Sequence, residues 1–170
     1  MPYVKSRFKY YLGDIIYGAN DGIITTFAVI SGAAGAGFSS TVIIVLGIAN
    51  LTADGFSMAA SKYLALKSEQ SVNQVGSRKR VAFNDAVATF GAFVIAGSLP
   101  VIPFLVPAAA EHAFPVSASA TAVAFFLVGA ARAFVIPKHA ARAGFEMLLV
   151  GGVAAGIAYG LGSWVETLIK

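Results

Sequence analysis

No cysteine occurs anywhere in the chain, which excludes disulfides, thiolate metal sites and thiol chemistry, and says nothing about redox compartment. Charge is scarce as well. Asp, Glu, Lys and Arg make up 12% of the 170 residues, where a soluble domain carries about 25%. Histidine is limited to His112 and His139, and neither has a partner at ligand spacing, so a membrane enzyme built on a His or Glu cluster is disfavoured. Glu111 and His112 form an adjacent pair, which does not make a metal site. What is present is apolar surface: 58% hydrophobic residues and a mean hydropathy of +0.78. Eighteen glycines suit close helix approach in lipid. The composition is that of an integral membrane protein in which one compact bundle accounts for residues 1–170. The net charge of +4 is no sign of nucleic acid, because in such a chain basic residues report orientation first.

Hydropathy predicts five spans, near 14–36, 41–66, 85–106, 117–136 and 143–168. Each has about 20 residues or more, the length that crosses a ~30 Å hydrocarbon core. Lys5, Arg7 and Lys9 precede the first span. Lys62, Lys67, Arg78, Lys79 and Arg80 are assigned to the connection between the second and third, and Arg132, Lys138 and Arg142 to that between the fourth and fifth. Eleven of the twelve basic residues therefore fall on one side, and only Lys170 on the other. The positive-inside rule puts the N-terminus in the cytoplasm and the C-terminus outside. A cleavable signal peptide is disfavoured, since Asp14 and Asp21 interrupt the apolar run and the first span completes the charge alternation.

The most informative residue is Asp21, an acid inside a spanning segment. Such a group costs roughly 2.5–3.5 kcal/mol on insertion scales and usually faces a partner or a water-filled pathway. Asp14 lies seven residues earlier, two helical turns, on the same face. Gly18, Thr25, Ala28 and Gly32 continue that face. The second span carries Asn50, Asp54, Met58 and Ser61 with the same periodicity, and Asp54 and Met58 sit one turn apart. Carboxylates bind hard or borderline divalent ions and thioethers are soft ligands, so a mixed site favours a transition metal over Ca²⁺ or Mg²⁺. Carboxylates held away from water also take up protons more readily.

Structural roles compete for the same residues. Asp21 can be a buried acid bonded to Asn20 or Thr25, and Asp54 can cap a helix break beside Gly55. Met58 can fill a core gap, and Asp14 can be solvated at the interface. Thr25 and Ser61 can bond back to their own helix. Elsewhere, Asp85 is expected to open the third helix. Three prolines in LPVIPFLVP, 99–107, imply a kinked or unwound end. Glu146 is placed to pair with Arg142 four residues earlier. Tyr159 and Trp164 suit the outer interface, and GGVAAG, 151–156, reads as a packing stripe.

GANDGIITTFAVISGAAGA at 18–36 resembles the first helix of the vacuolar iron transporter family. GIANLTADGFSMAASKYLALKSE at 47–69 resembles its second helix. FLVGAARAF at 126–134 and GFEMLLVGGVAAGIAYGLG at 144–162 resemble the last two. The likeness covers nearly the whole chain, in order. It implies an all-α, five-helix membrane fold that forms a homodimer, with the ion pathway between the two first helices. It implies export of Fe²⁺, often with Mn²⁺, from the cytosol in exchange for protons. No cofactor is implied, and the metal is cargo. Asp21 matches the family's mid-membrane aspartate, Met58 its pathway methionine, and Asp14 an acidic position near the cytosolic mouth.

The chain departs from that pattern in the loop after the second helix, 67–84. It holds one acid, Glu69, where eukaryotic members carry a glutamate-rich metal-binding domain. Tyr10 stands where an acid is expected, and Asn50 where some members have glutamate. Asp54 compensates one turn further on. The chain is read as a small bacterial-type member of the cell membrane, with Asp21, Met58, Asp14 and Asp54 as metal-site residues and Asp21 and Asp54 as proton carriers. The rival readings are a transporter of another cationic solute, a non-transporting assembly or sensor subunit, and a membrane enzyme.

Overall fold

The computed structural model describes the backbone of residues 2–72, 81–134 and 139–170. Arg78, Lys79, Arg80 and Lys138 lie outside the described residues, as do the side chains of Lys5, Arg7, Lys9 and Tyr10. Among the described residues the chain is helical and has no strand. Its helices are α1 (Pro2–Gly35), α2 (Ser40–Val72), α3 (Ala82–Ser98), α4 (Ile102–Leu105), α5 (Ala113–Ala131) and α6 (Ala140–Ile169), with short 3₁₀ turns at Pro107–His112 and Arg132–Phe134.

Three stretches are long and apolar enough to cross a membrane: Ser40–Ser71, Ala113–Phe134 and Ala140–Ile169. Two of the predicted spans read differently. The first is part of a 34-residue helix, α1, whose apolar character is interrupted by Asp14, Asn20 and Asp21. The third, expected over 85–106, is divided. α3 has 17 residues, about 26 Å of rise, and stops before Pro100. The chain turns at 99–101 and resumes as α4, with Pro103 in its first turn. Proline lacks an N–H and its ring crowds the preceding turn, which accounts for the break. The freed carbonyl of Pro100 accepts a 2.6 Å hydrogen bond from Ser117 Oγ on α5. Lys62, assigned by sequence to the connection after the second span, lies inside α2.

Packing follows glycine. A Cβ at Gly22 would collide with the Phe93 carbonyl, and one at Gly18 would meet Thr89 O, so α1 and α3 touch backbone to backbone and run parallel. Gly32 against Ala158 and Gly162 against Ala36 set α1 parallel to α6. Gly97 against Leu51 and Gly55 against Phe90 set α2 antiparallel to α3. Gly129 against Met147 and Gly151 against Phe125 set α5 antiparallel to α6. α1, α3 and α6 therefore run one way, and α2 and α5 the other. Lipid offers helices no hydrophobic drive to associate, so these close approaches carry the packing through dispersion. Of the 151–156 stripe, Gly151 and Ala155 are packed, while Gly152 and Gly156 face open space. Two apolar clusters fill the remaining volume. One centres on Phe93, Ile30 and Val101, the other on Ile23, Phe27 and Phe125. Asp85 lies in the first turn of α3, fully buried, and Arg142 Nε lies 3.5 Å from Glu146 Oε1.

Candidate functional site

The site is built by the turn between α1 and α2. Gly37 takes φ +70°, a left-handed conformation that only glycine adopts at no steric cost. Its N–H bonds to Ala34 O and the Phe38 N–H to Ala33 O, both at 3.0 Å. This is the Schellman pattern that ends a helix abruptly. α2 begins at Ser40. A turn this short folds the two helices back on each other with residue i of α1 level with about residue 75 − i of α2, and the side-chain partners obey that rule.

Four levels result, running from the turn toward the N-terminus of α1. At the first, Asn50 Nδ2 donates to Thr26 Oγ1 at 3.2 Å and reaches Thr25 Oγ1 at 3.5 Å. At the second, the same register sets Asp21 level with Asp54. At the third, Met58 stands level with Tyr17 and Gly18. At the fourth, Lys62 Nζ donates to Asp14 Oδ1 at 2.6 Å, forming an ion pair. The two periodic stripes read from sequence thus become one ladder of polar groups.

Burial differs along the ladder. Asp14 is 8% exposed, and its second oxygen, Oδ2, is buried with no hydrogen-bond partner among the described residues. Asp21 and Met58 are half-buried, and Met58 packs on the Phe93 cluster. Asp54 and Ser61 are exposed. The cap reading of Asp54 is excluded by geometry, because α2 runs unbroken through Gly55, whose missing side chain admits the rings of Phe90 and Phe93. Thr25 Oγ1 does bond back to its own helix, at Asp21 O, 2.9 Å away. Asp14 is ion-paired, which differs from a merely solvated acid.

Beside the ladder, a cleft of about 350 Å³ opens between α1 and the α5–α6 corner. Asp21 borders it, together with Tyr17, Asn20, Arg132 and Met147. Asn20 Oδ1 is buried without a hydrogen-bond partner among the described residues, and Met147 is 4% exposed. Sequence reasoning missed Lys62, Asn20, Arg132 and Met147. The two basic residues were counted only for orientation. Asn20 lies beside Asp21 in sequence, and Met147 shares no periodic stripe with the acids. Among the described residues no three His, Asp or Glu side chains gather closely enough to hold a metal. What one chain presents is an open face that carries acids and a thioether.

A profile of the VIT family matches residues 12–81 and 72–163. The vacuolar iron transporter of Plasmodium falciparum (isolate 3D7) is 50% identical over 52 residues, which cover 31% of this chain and 19% of that protein. Vacuolar iron transporter 1 of Arabidopsis thaliana is 44% identical over 57 residues, 34% of this chain and 23% of that protein. The vacuolar iron transporter of Toxoplasma gondii (strain ATCC 50861 / VEG) is 35% identical over 60 residues, 35% of this chain and 20% of that protein. The matched stretches span about a fifth of each relative's length.

Proposed function

The chain belongs to the VIT family, whose members are transporters and not enzymes, and on that premise we propose that it carries Fe²⁺ or Mn²⁺ out of the cytosol in exchange for protons. The observation that supports this reading most is the second level of the ladder, where the register of α1 and α2 sets Asp21 level with Asp54, with Met58 one turn away on α2. Two carboxylates and a thioether suit a borderline divalent ion. Two repelling carboxylates are relieved equally by a metal ion or by protons, which makes the two cargoes exclusive and couples them.

One chain leaves this face open. Asp54 is exposed on a helix apolar enough to span, and lipid is a costly environment for a carboxylate. A second copy packed along α1 would cover the face and double the ligands to Asp21 and Met58 from each protomer. We therefore read the protein as a homodimer with the pathway on its axis, five spans per chain and the N-terminus in the cytosol. Asp14 stands at the cytosolic mouth. The few residues between α2 and α3, which run from Val72 to Ala82 where the sequence reading set 67–84, leave no room for a glutamate-rich domain and fit a bacterial cell-membrane protein.

The test is metal flux in proteoliposomes under an imposed pH gradient, with Fe²⁺ and Mn²⁺ compared for the native chain and Asp21→Ala. Gradient-driven flux that falls at least tenfold in the variant supports the reading. A folded, dimeric native protein that moves neither ion overturns it and favours the assembly-subunit reading.

A further inference from the structure

The fourth level of the ladder holds a cation already. Lys62 reaches from α2 to Asp14 on α1, and its ammonium sits 2.6 Å from Oδ1. Asp14 is otherwise enclosed, and its Oδ2 is buried with no hydrogen-bond partner among the described residues. One ammonium therefore occupies half of a carboxylate that has the capacity for more. The Lys62 side chain is 28% exposed, against 11% for that of Asp14, so the lysine is the more open partner of the pair and has room to withdraw. Its four-carbon stem is flexible, and its head is a compact, well-hydrated point charge.

We propose that Lys62 is a tethered competitor for the cation position at Asp14, a specificity-determining residue that admits divalent ions and turns monovalent ones away. The proposal rests on the transport reading of the same face. An incoming ion close to Asp14 would stand within a few ångströms of the ammonium, where like charges repel strongly outside bulk water. The ion and the ammonium cannot share the site. A monovalent ion that displaces Lys62 exchanges one unit charge for another and must also repeat the desolvation. A divalent ion brings twice the charge and can engage both carboxylate oxygens. The lysine thus sets a threshold of charge as well as of concentration. It needs no other part of the pathway, because Asp21 and Asp54 lie two turns deeper on their helices.

A purely structural ion pair would hold α1 against α2 and have no bearing on which ion binds. Thermal unfolding in detergent over a Mn²⁺ titration separates the two roles. Ligand at free concentration L that binds only the folded state raises Tm through a stabilisation of RT ln(1 + L/Kd), so the concentration that gives half of a fixed reference rise, taken as the half-effective concentration, tracks Kd. Lys62→Gln is expected to lower the metal-free Tm. It should also lower the half-effective Mn²⁺ concentration about tenfold, the scale of one charge-assisted contact removed from competition. In this variant excess Na⁺ should compete with Mn²⁺, as it should not in the native chain. Lys62→Arg, which keeps the charge, should behave as the native chain does. Asp14→Asn combined with Lys62→Gln should lose the gain. A Lys62→Gln half-effective concentration that is unchanged or higher overturns the proposal, and so does Lys62→Arg behaving like Lys62→Gln. The readout is binding, so it stands apart from flux. Native liposomes that carry no metal would defeat the transport reading and leave the Lys62 result to be judged on its own.

Discussion

Met58 is placed where packing and the proposed ligation overlap, since it is half-buried, lies on the Phe93 cluster and is one turn from Asp54. The two roles respond differently to Met58→Leu. Leucine conserves the volume, so stability should change by less than about 1.5 kcal/mol. Loss of the thioether removes the soft ligand, so a transition-metal preference should weaken. The expected outcome is an unchanged Tm with the flux ratio of Fe²⁺ or Mn²⁺ to Mg²⁺ reduced severalfold, measured in the same proteoliposomes. A Tm loss with the ratio intact would assign Met58 to packing alone. The residues of this face were legible because spacing alone puts Asp14, Asp21 and Thr25 on one side of a helix. Lys62 was hidden because a lysine near a helix end reads first as an orientation charge, and only the fold places it against Asp14.

Elements meet here at glycines, and the structure separates those that are cradles from those that are not. A Cβ at Gly22 would enter the Phe93 backbone, whereas Gly91 has nothing within 4 Å. Gly22→Ala should cost about 1–3 kcal/mol through overpacking, and Gly91→Ala should be neutral or stabilising by up to about 1 kcal/mol from helix propensity. Comparison of detergent melting curves for the two variants checks both signs. Helix existence was readable from hydropathy, and the prolines of 99–107 announced a disturbed end. The extent of the disturbance was not readable. Whether a proline kinks a helix or ends it depends on what satisfies the freed carbonyl, and Ser117, 17 residues away, supplies that bond. Polarity also concealed how far α1 extends, because apolar scales register lipid contact and not helix length. The pairing of α1 with α2, by contrast, was latent in the sequence. A helix end near 36 and a helix start near 41 already fix which residues stand opposite.

The molecule as a whole turns an unusual share of apolar surface outward. In the most apolar stretch of α6 only 6% of residues are buried, and Phe145, Leu149, Val153, Ile157 and Trp164 are all exposed. Lipid accounts for such a face, but it does not suit the one that carries Asp54 and the Tyr17 cleft. If a second copy covers that face, Tyr17, 59% exposed on α1, lies beside its counterpart. The native absence of cysteine makes the test clean. Tyr17→Cys should form an intermolecular disulfide in membranes under mild oxidation, while Ile95→Cys, 74% exposed on α3, should not. Equal cross-linking at both positions, or none at Tyr17, would argue against an axis along α1. The turn at Gly37 has a consequence at this scale too. It works as a reading frame for the proposed pathway, since one added residue there would advance α2 by about 1.5 Å and rotate it by about 100°. Asn50, Asp54, Met58 and Lys62 would all lose their levels together, with every helix intact and no site residue changed. The chemistry of the face is written in its acids, but its phase is held by a single glycine.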